Sequence, residues 1–233
     1  MEEYVFNVLA GAKLTLQVAG GSLVVAVVLG LLGATAKLST NKPLNWLAAL
    51  YSTIIRGIPE LVWMLLLFYG GQMLLNKVLE SVGYNDYVEI NPLFAGIVTI
   101  GFIYGAYMTE TFRGAIMAIP KGQSEAGYAF GMSRSRVFFR IVVPQMIRLA
   151  LPSFTNNWLV LIKATALVSV IGLTDMTMLA KQASAATRSL TPLAPMLFYL
   201  LVAAIYLAIT TVSLIVLKQL DKRYSMGVRK GEF

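Results

Sequence analysis

From Leu14 to Ala36 the chain runs without a single charged side chain, and from Pro195 to Leu217 it does so again. A soluble core helix has a polar face, whereas a helix that crosses a bilayer needs about 20 predominantly apolar residues. Such runs predict an integral membrane protein. Composition agrees: 58% of the residues are hydrophobic and 13% charged, against roughly 45–50% and about 25% in soluble domains. There is no cysteine and no histidine. Disulfides, thiolate or imidazole metal sites and the usual general base are thereby excluded. The net charge of +8 sits beside apolar runs, which points to membrane topology and anionic lipid rather than nucleic acid.

Five spans are expected in one all-α domain covering residues 1–233: about 14–36, 59–79, 93–117, 151–173 and 195–217. Glu2 and Glu3 precede the first, where a secretory signal would be basic, so that span is retained. A further apolar stretch, Leu44 to Ile55, precedes the second span across Ile58–Pro59. It is either an interfacial helix or the first half of one kinked helix. Five spans put the termini on opposite sides. With the N-terminus outside, inner segments hold Lys37, Lys42, Lys121, Arg134, Arg136, Arg140, Arg148, Lys218, Lys222, Arg223, Arg229 and Lys230. Outer segments hold only Lys13, Lys77, Lys181 and Arg188. The positive-inside rule therefore predicts an outside N-terminus and a cytoplasmic C-terminus. Gly101 and Gly105, four apart, allow close helix approach in lipid.

The polar loop 119–145 carries the most specific signal. Ser124 suits a helix N-cap with Glu125 in the first turn, and Gly131 suits a left-handed C-terminal stop. A second short helix follows with Arg134, Arg136 and Arg140, and Pro144 closes the unit. The arginines face either a cytoplasmic protein or anionic lipid. Glu125, Ala126 and Gly127 are followed by three residues and Gly131, then by nine residues, Ile141 and, three on, Pro144. This pattern resembles the Glu-Ala-Ala loop of permease subunits of binding-protein-dependent ABC importers, with Gly127 and Val143 as small departures. Arg56-Gly57-Ile58-Pro59, Tyr107 to Gly114 and Asn156-Asn157 through Lys163-Ala164-Thr165 resemble the polar amino-acid uptake subfamily. The likeness is nearest to its histidine, lysine, arginine and ornithine permeases.

The resemblance implies a bacterial inner-membrane importer with the type I ABC importer permease fold. Glu125, Ala126, Gly127, Gly131, Arg134, Arg136, Ile141 and Pro144 would form the ATPase-coupling segment. ATP and magnesium would sit on an ATP-binding subunit dimer, since this chain has no phosphate-binding Gly-x-x-x-x-Gly-Lys-Ser/Thr motif. A second permease subunit, a related chain rather than another copy, and an extracytoplasmic binding protein would complete the machine. This chain would bind no cofactor and catalyse no reaction of its own. An ion-coupled secondary transporter is the competing class, disfavoured because five spans make no two equal repeats.

Charges within spans must pair, snorkel or face water. Glu110 and Arg113 read either as an ion pair three residues apart or as a pathway in which Glu110 meets a cationic substrate. Arg56 and Glu60 read as a pair across the Pro59 break or as a substrate clamp. Asn156 and Asn157 bond between helices or line the pathway, and Lys163 pairs with Glu110 or Glu60, gates or contacts substrate. Tyr107, with Phe102 and Tyr104, is packing or pathway lining.

Overall fold

The computed structural model describes residues 2–188 and 193–224, so Arg229 and Lys230 lie outside the described residues. Among the described residues there are helices and no strands. Their order is α1 Glu2–Lys37, α2 Lys42–Gly57, α3 Glu60–Leu65, α4 Gly71–Ser81, α5 Pro92–Met117, α6 Lys121–Ala129, α7 Arg134–Val137, α8 Val143–Ala164, α9 Met176–Thr187 and α10 Ala194–Tyr224. A π-turn over Leu66–Gly70 joins α3 to α4, and another over Phe138–Val142 joins α7 to α8. A 3-10 turn over Thr165–Ile171 extends α8. Five of these helical stretches are long and apolar enough to cross a membrane: 2–37, 60–81, 92–117, 134–171 and 195–224.

The first helix begins at Glu2 and so extends ahead of the expected span 14–36. Nothing in residues 2–13 breaks a helix, and two glutamates in the first turn complement its dipole. That extension is held by packing: Val8 is buried, Gly11 abuts the Met176 backbone, and Tyr4 sets its ring edge-on to Phe198, 6.3 Å between centroids.

Residues 42–57 form a helix of their own, separated from α3 by a break at Ile58–Pro59. Asn41 caps it, with Leu44 N donating to Asn41 Oδ1 at 3.4 Å, and Pro43 occupies the first turn. It ends where Ile58 turns extended, φ −116° and ψ 141°, ahead of Pro59. One face buries Ala48, Ser52 and Ile55 against α1 and α5; the other exposes Trp46, Leu47, Leu50 and Ile54.

The bundle is assembled around α5, which packs on α1, α2, α3 and α8. Asn91 caps α5 through Leu93 N at 2.9 Å. The segment before it is stapled by Gln72 and Asn76 of α4, which accept from Ile90 N at 2.7 Å and Val88 N at 2.8 Å. Against α1, α5 presents Gly101 and Gly105, as the spacing predicts, and α1 answers with Gly30 and Gly33. A Cβ on Gly105 would lie 2.8 Å from Leu29 Cβ, and one on Gly30 would collide with Met108 Cβ. The helices thus meet at backbone distance, the mode of association that hydrocarbon favours. Ile100, Ile103, Tyr104 and Met108 of α5 are fully buried, while Val24, Leu32, Leu200, Leu207 and Val212 point outward. Outward apolar side chains are what a lipid solvent requires.

Gly30→Val should lower the melting temperature of the detergent-solubilised protein by the equivalent of about 1–3 kcal/mol, because Met108 Cβ and the backbone behind it cannot yield. Gly114→Ala, where a Cβ meets nothing within 4 Å, should leave it unchanged.

Candidate functional site

The loop between α5 and α8 is a folded two-helix unit. Its first helix starts at Lys121 behind Pro120, not at a Ser124 cap. Proline has φ fixed near the helical value and no amide to leave unpaired, so it opens the helix four residues earlier than a serine cap would. Ser124 and Glu125 consequently sit in its middle. The end is as expected. Gly131 takes φ +74°, Gly131 N donates to Tyr128 O at 2.9 Å and Met132 N to Gly127 O at 3.1 Å. These two bonds make a Schellman stop.

Ser133 then turns extended and α7 begins. Pro144 does not close the unit; it lies in the first turn of α8, and the chain stays helical from Arg134 to Ile171. Proline lacks the amide for the carbonyl four residues back and would clash with it. The π-turn over Phe138–Val142 widens the helix just ahead of it and removes the conflict.

The two halves lock at Gly127. A Cβ there would come within 2.7 Å of Ile141 Cδ1 and 2.9 Å of Val137 Cγ2, so α6 rests directly on the π-turn. Gly127, Gly131, Ile141 and Pro144 therefore shape the unit, whereas Glu125, Ala126, Arg134 and Arg136 are exposed on it. Two aromatics that the spacing argument overlooked join that outer surface: Tyr128, 48% exposed, and Phe130, 88% exposed. Their signal is an aromatic beside the glycine stop, where no core can receive it.

The intramembrane charges group differently from their spacing. Glu110 pairs with Arg113 as expected, Arg113 Nε to Oε2 at 3.0 Å, but its other oxygen takes Lys37 Nζ of α1 at 2.5 Å. Lys37 also donates to Ser52 Oγ of α2 at 3.0 Å. Both carboxylate oxygens are occupied by the chain's own cations, and three helices are tied at one end of the bundle. Sequence could not expose this link, because 73 residues separate Lys37 from Glu110.

Arg56 and Glu60 do not pair with each other. The extended Ile58 swings them apart, and both engage tyrosines of α5. Arg56 lies 5.4 Å from the centroid of the Tyr107 ring, and Tyr104 Oη donates to Glu60 Oε1 at 2.8 Å. Tyr104 and Tyr107 are themselves in contact, 5.6 Å between centroids, so this trio of expected residues, Arg56, Glu60 and Tyr107, is brought together. Asn157 bonds across to Thr111 Oγ1 at 2.9 Å, whereas Asn156 and Lys163 stand on the exposed face of α8. Lys163 forms no ion pair with Glu110, whose partners are Lys37 and Arg113.

Asp175, which no spacing argument selected, is fully buried at the start of α9. Its Oδ1 caps the helix, accepting from Met178 N at 3.0 Å. Its Oδ2 is unsatisfied, and Thr177, alongside but outside hydrogen-bond geometry, has an unsatisfied hydroxyl too. Burial pushes this carboxyl above the ordinary carboxylate range, outweighing the amide bonds that lower it. The folded protein thus holds the proton at pH values where the unfolded chain has released it. Asp175 favours folding most at low pH, and that contribution is lost as pH rises through the raised value. Asp175→Asn, which keeps the cap without the charge, should raise the melting temperature at pH 7 and show no gain at pH 4.

Residues 26–226 match the family described as binding-protein-dependent transport system inner membrane component. The chain belongs to that family. Among its relatives is the histidine/lysine/arginine/ornithine transport system permease protein HisQ of Escherichia coli (strain K12), 49% identical over 97% of this chain and 96% of the relative. The octopine transport system permease protein OccQ of Rhizobium radiobacter is 38% identical over 97% and 93%. The arginine ABC transporter permease protein ArtQ of Escherichia coli (strain K12) is 36% identical over 99% of each. In structure, this permease superposes on an amino acid ABC transporter crystallised with histidines, TM-score 0.77 at 30% identity over 96% of each chain. It shares its fold with the inward-facing MetNI methionine ABC transporter, TM-score 0.66 at 13% identity over 97% and 96%.

Glu110→Gln should strand Lys37 and Arg113 and cost about 1.5–3 kcal/mol in thermal unfolding. Lys37→Gln should cost less, because Arg113 still neutralises the carboxylate.

Proposed function

We propose that this chain is the membrane permease subunit of an ATP-driven, binding-protein-dependent importer of basic amino acids such as histidine, arginine, lysine and ornithine. Residues 1–233 act as one transmembrane domain, N-terminus outside and C-terminus in the cytoplasm. The single observation that carries this reading is the ordered α6–α7 unit. It matches the coupling-loop pattern from Glu125 to Pro144 and displays a charged and aromatic surface that its own bundle does not use.

The unit seats in a groove of an ATP-binding subunit. Glu125, Ala126, Arg134 and Arg136 supply the polar contacts and Phe130 with Tyr128 the apolar anchors, the residue types on which interface energy concentrates. ATP and magnesium are held by that partner, and this chain binds neither. Closure of the ATPase dimer draws the coupling units of two permease subunits together. Because α6 rests without play on Val137 and Ile141, the displacement passes straight into α8. A related second permease chain and an extracytoplasmic binding protein complete the assembly.

The substrate pathway runs along the exposed polar face of α8, with Asn156 and Lys163, and past Arg56, Tyr107 and Glu60. Glu110 braces the bundle rather than meeting substrate, since both its oxygens are engaged.

The test is reconstitution with the ATPase, the second permease and the binding protein in proteoliposomes. Arginine uptake should require internal ATP and persist with a protonophore; uptake driven by an ion gradient alone would refute the reading. Phe130→Ala and Glu125→Ala should each lower ATP-driven uptake about tenfold, a loss of ~1.4 kcal/mol of coupling contact, without changing the melting temperature of the permease.

A further inference from the structure

Between α1, α5 and the start of α8 lies a cavity of about 560 Å³, within the range of ligand sites. Leu31, Leu32, Phe112, Phe139, Met146 and Phe154 are among its walls. Its one polar lining residue, Thr35, spends its hydroxyl on the Leu31 and Leu32 carbonyls of its own helix. With so little for water to bond to, its lining suits an apolar occupant. Two arginines lie on the lining helix within one turn of cavity residues: exposed Arg140, three residues before Val143, and half-buried Arg148, three before Leu151. Neither is in an ion pair with Glu110, whose partners are Lys37 and Arg113. A predominantly apolar hole on a helix that also carries two cations matches the two ends of one molecule.

We propose that the cavity holds an acyl chain of an anionic phospholipid of the cytoplasmic leaflet, its headgroup against Arg140 and Arg148. The leaflet rests on the orientation proposed above. Position gives the site a consequence. The helical turn Val137–Ile141 bears on both: Val137 and Ile141 carry Gly127 of the coupling helix, and Phe138 and Phe139 wall the cavity. A filled cavity braces the turn from behind, and an empty one lets it give when the ATPase pushes on α6. Coupling should then depend on anionic lipid.

The experiment uses the complete importer in nanodiscs of phosphatidylethanolamine with or without phosphatidylglycerol. Native mass spectrometry counts retained lipid, and binding-protein-stimulated ATP hydrolysis reports coupling. Wild type should retain phosphatidylglycerol in preference to phosphatidylethanolamine, by about fivefold per arginine, and hydrolyse faster when it is present. Arg140→Gln with Arg148→Gln should abolish the preference. Leu32→Trp, which fills the cavity from an exposed position, should displace the lipid and make hydrolysis indifferent to phosphatidylglycerol. Equal retention by wild type and variants, or a photo-cross-linker at residue 32 that captures the second permease instead of lipid, would overturn the proposal. Loss of ATP-driven uptake in every lipid would instead count against the importer reading.

Discussion

Everything in this bundle hangs on how closely α1 can approach α5. In hydrocarbon no hydrophobic effect drives helices together, so association rests on van der Waals contact and on polar groups that find each other. Gly30 and Gly33 on one helix and Gly101 and Gly105 on the other remove the side chains that would hold the backbones apart. The close contact then sets Lys37 against Glu110 and Tyr51 Oη within 2.6 Å of the Phe102 carbonyl. With α1 and α2 fixed to it, α5 becomes the post on which α3 and α8 are mounted.

That frame explains how the chain accommodates charge at depth. An ionised group in a span is costly unless compensated. Glu110 meets two cations, Arg56 lies over a tyrosine ring and Glu60 receives a tyrosine hydroxyl. All three are settled by α5 or through it. Lys163 and Asn156 are not, and they stand exposed together on one face of α8. Such a face belongs against water, substrate or another chain. At the other end of α8, a glycine contact and a π-turn make the loop and the helix mechanically continuous.

Much of this was legible before any coordinates. The uncharged runs marked the spans, Gly131 marked the loop's stop, and the polar stretch 119–145 marked a separately folded two-helix loop. The reading failed where a local rule had a stronger local competitor. Pro120 displaced Ser124 as the helix start, and a π-turn let the helix run through Pro144. It also failed where proximity in sequence misled. Arg56 and Glu60 are four apart, yet the extended residue between them sends each to a different tyrosine. Asp175 was overlooked because an acid at a helix start reads as an ordinary cap, and only packing shows that its second oxygen is buried without a partner.

By itself, the sequence determined what the bilayer dictates: how many spans, which loops are basic, and where a polar loop must fold on its own. Those follow from transfer free energies and turn chemistry, which act on neighbouring residues along the chain. The tertiary structure decided which charges neutralise which, what the glycines face, and where apolar space is left open behind the α6–α7 unit. Each of those depends on contacts between helices distant in sequence. The pairing of Lys37 with Glu110 exists only because two glycine-bearing helices come close enough to bring it about.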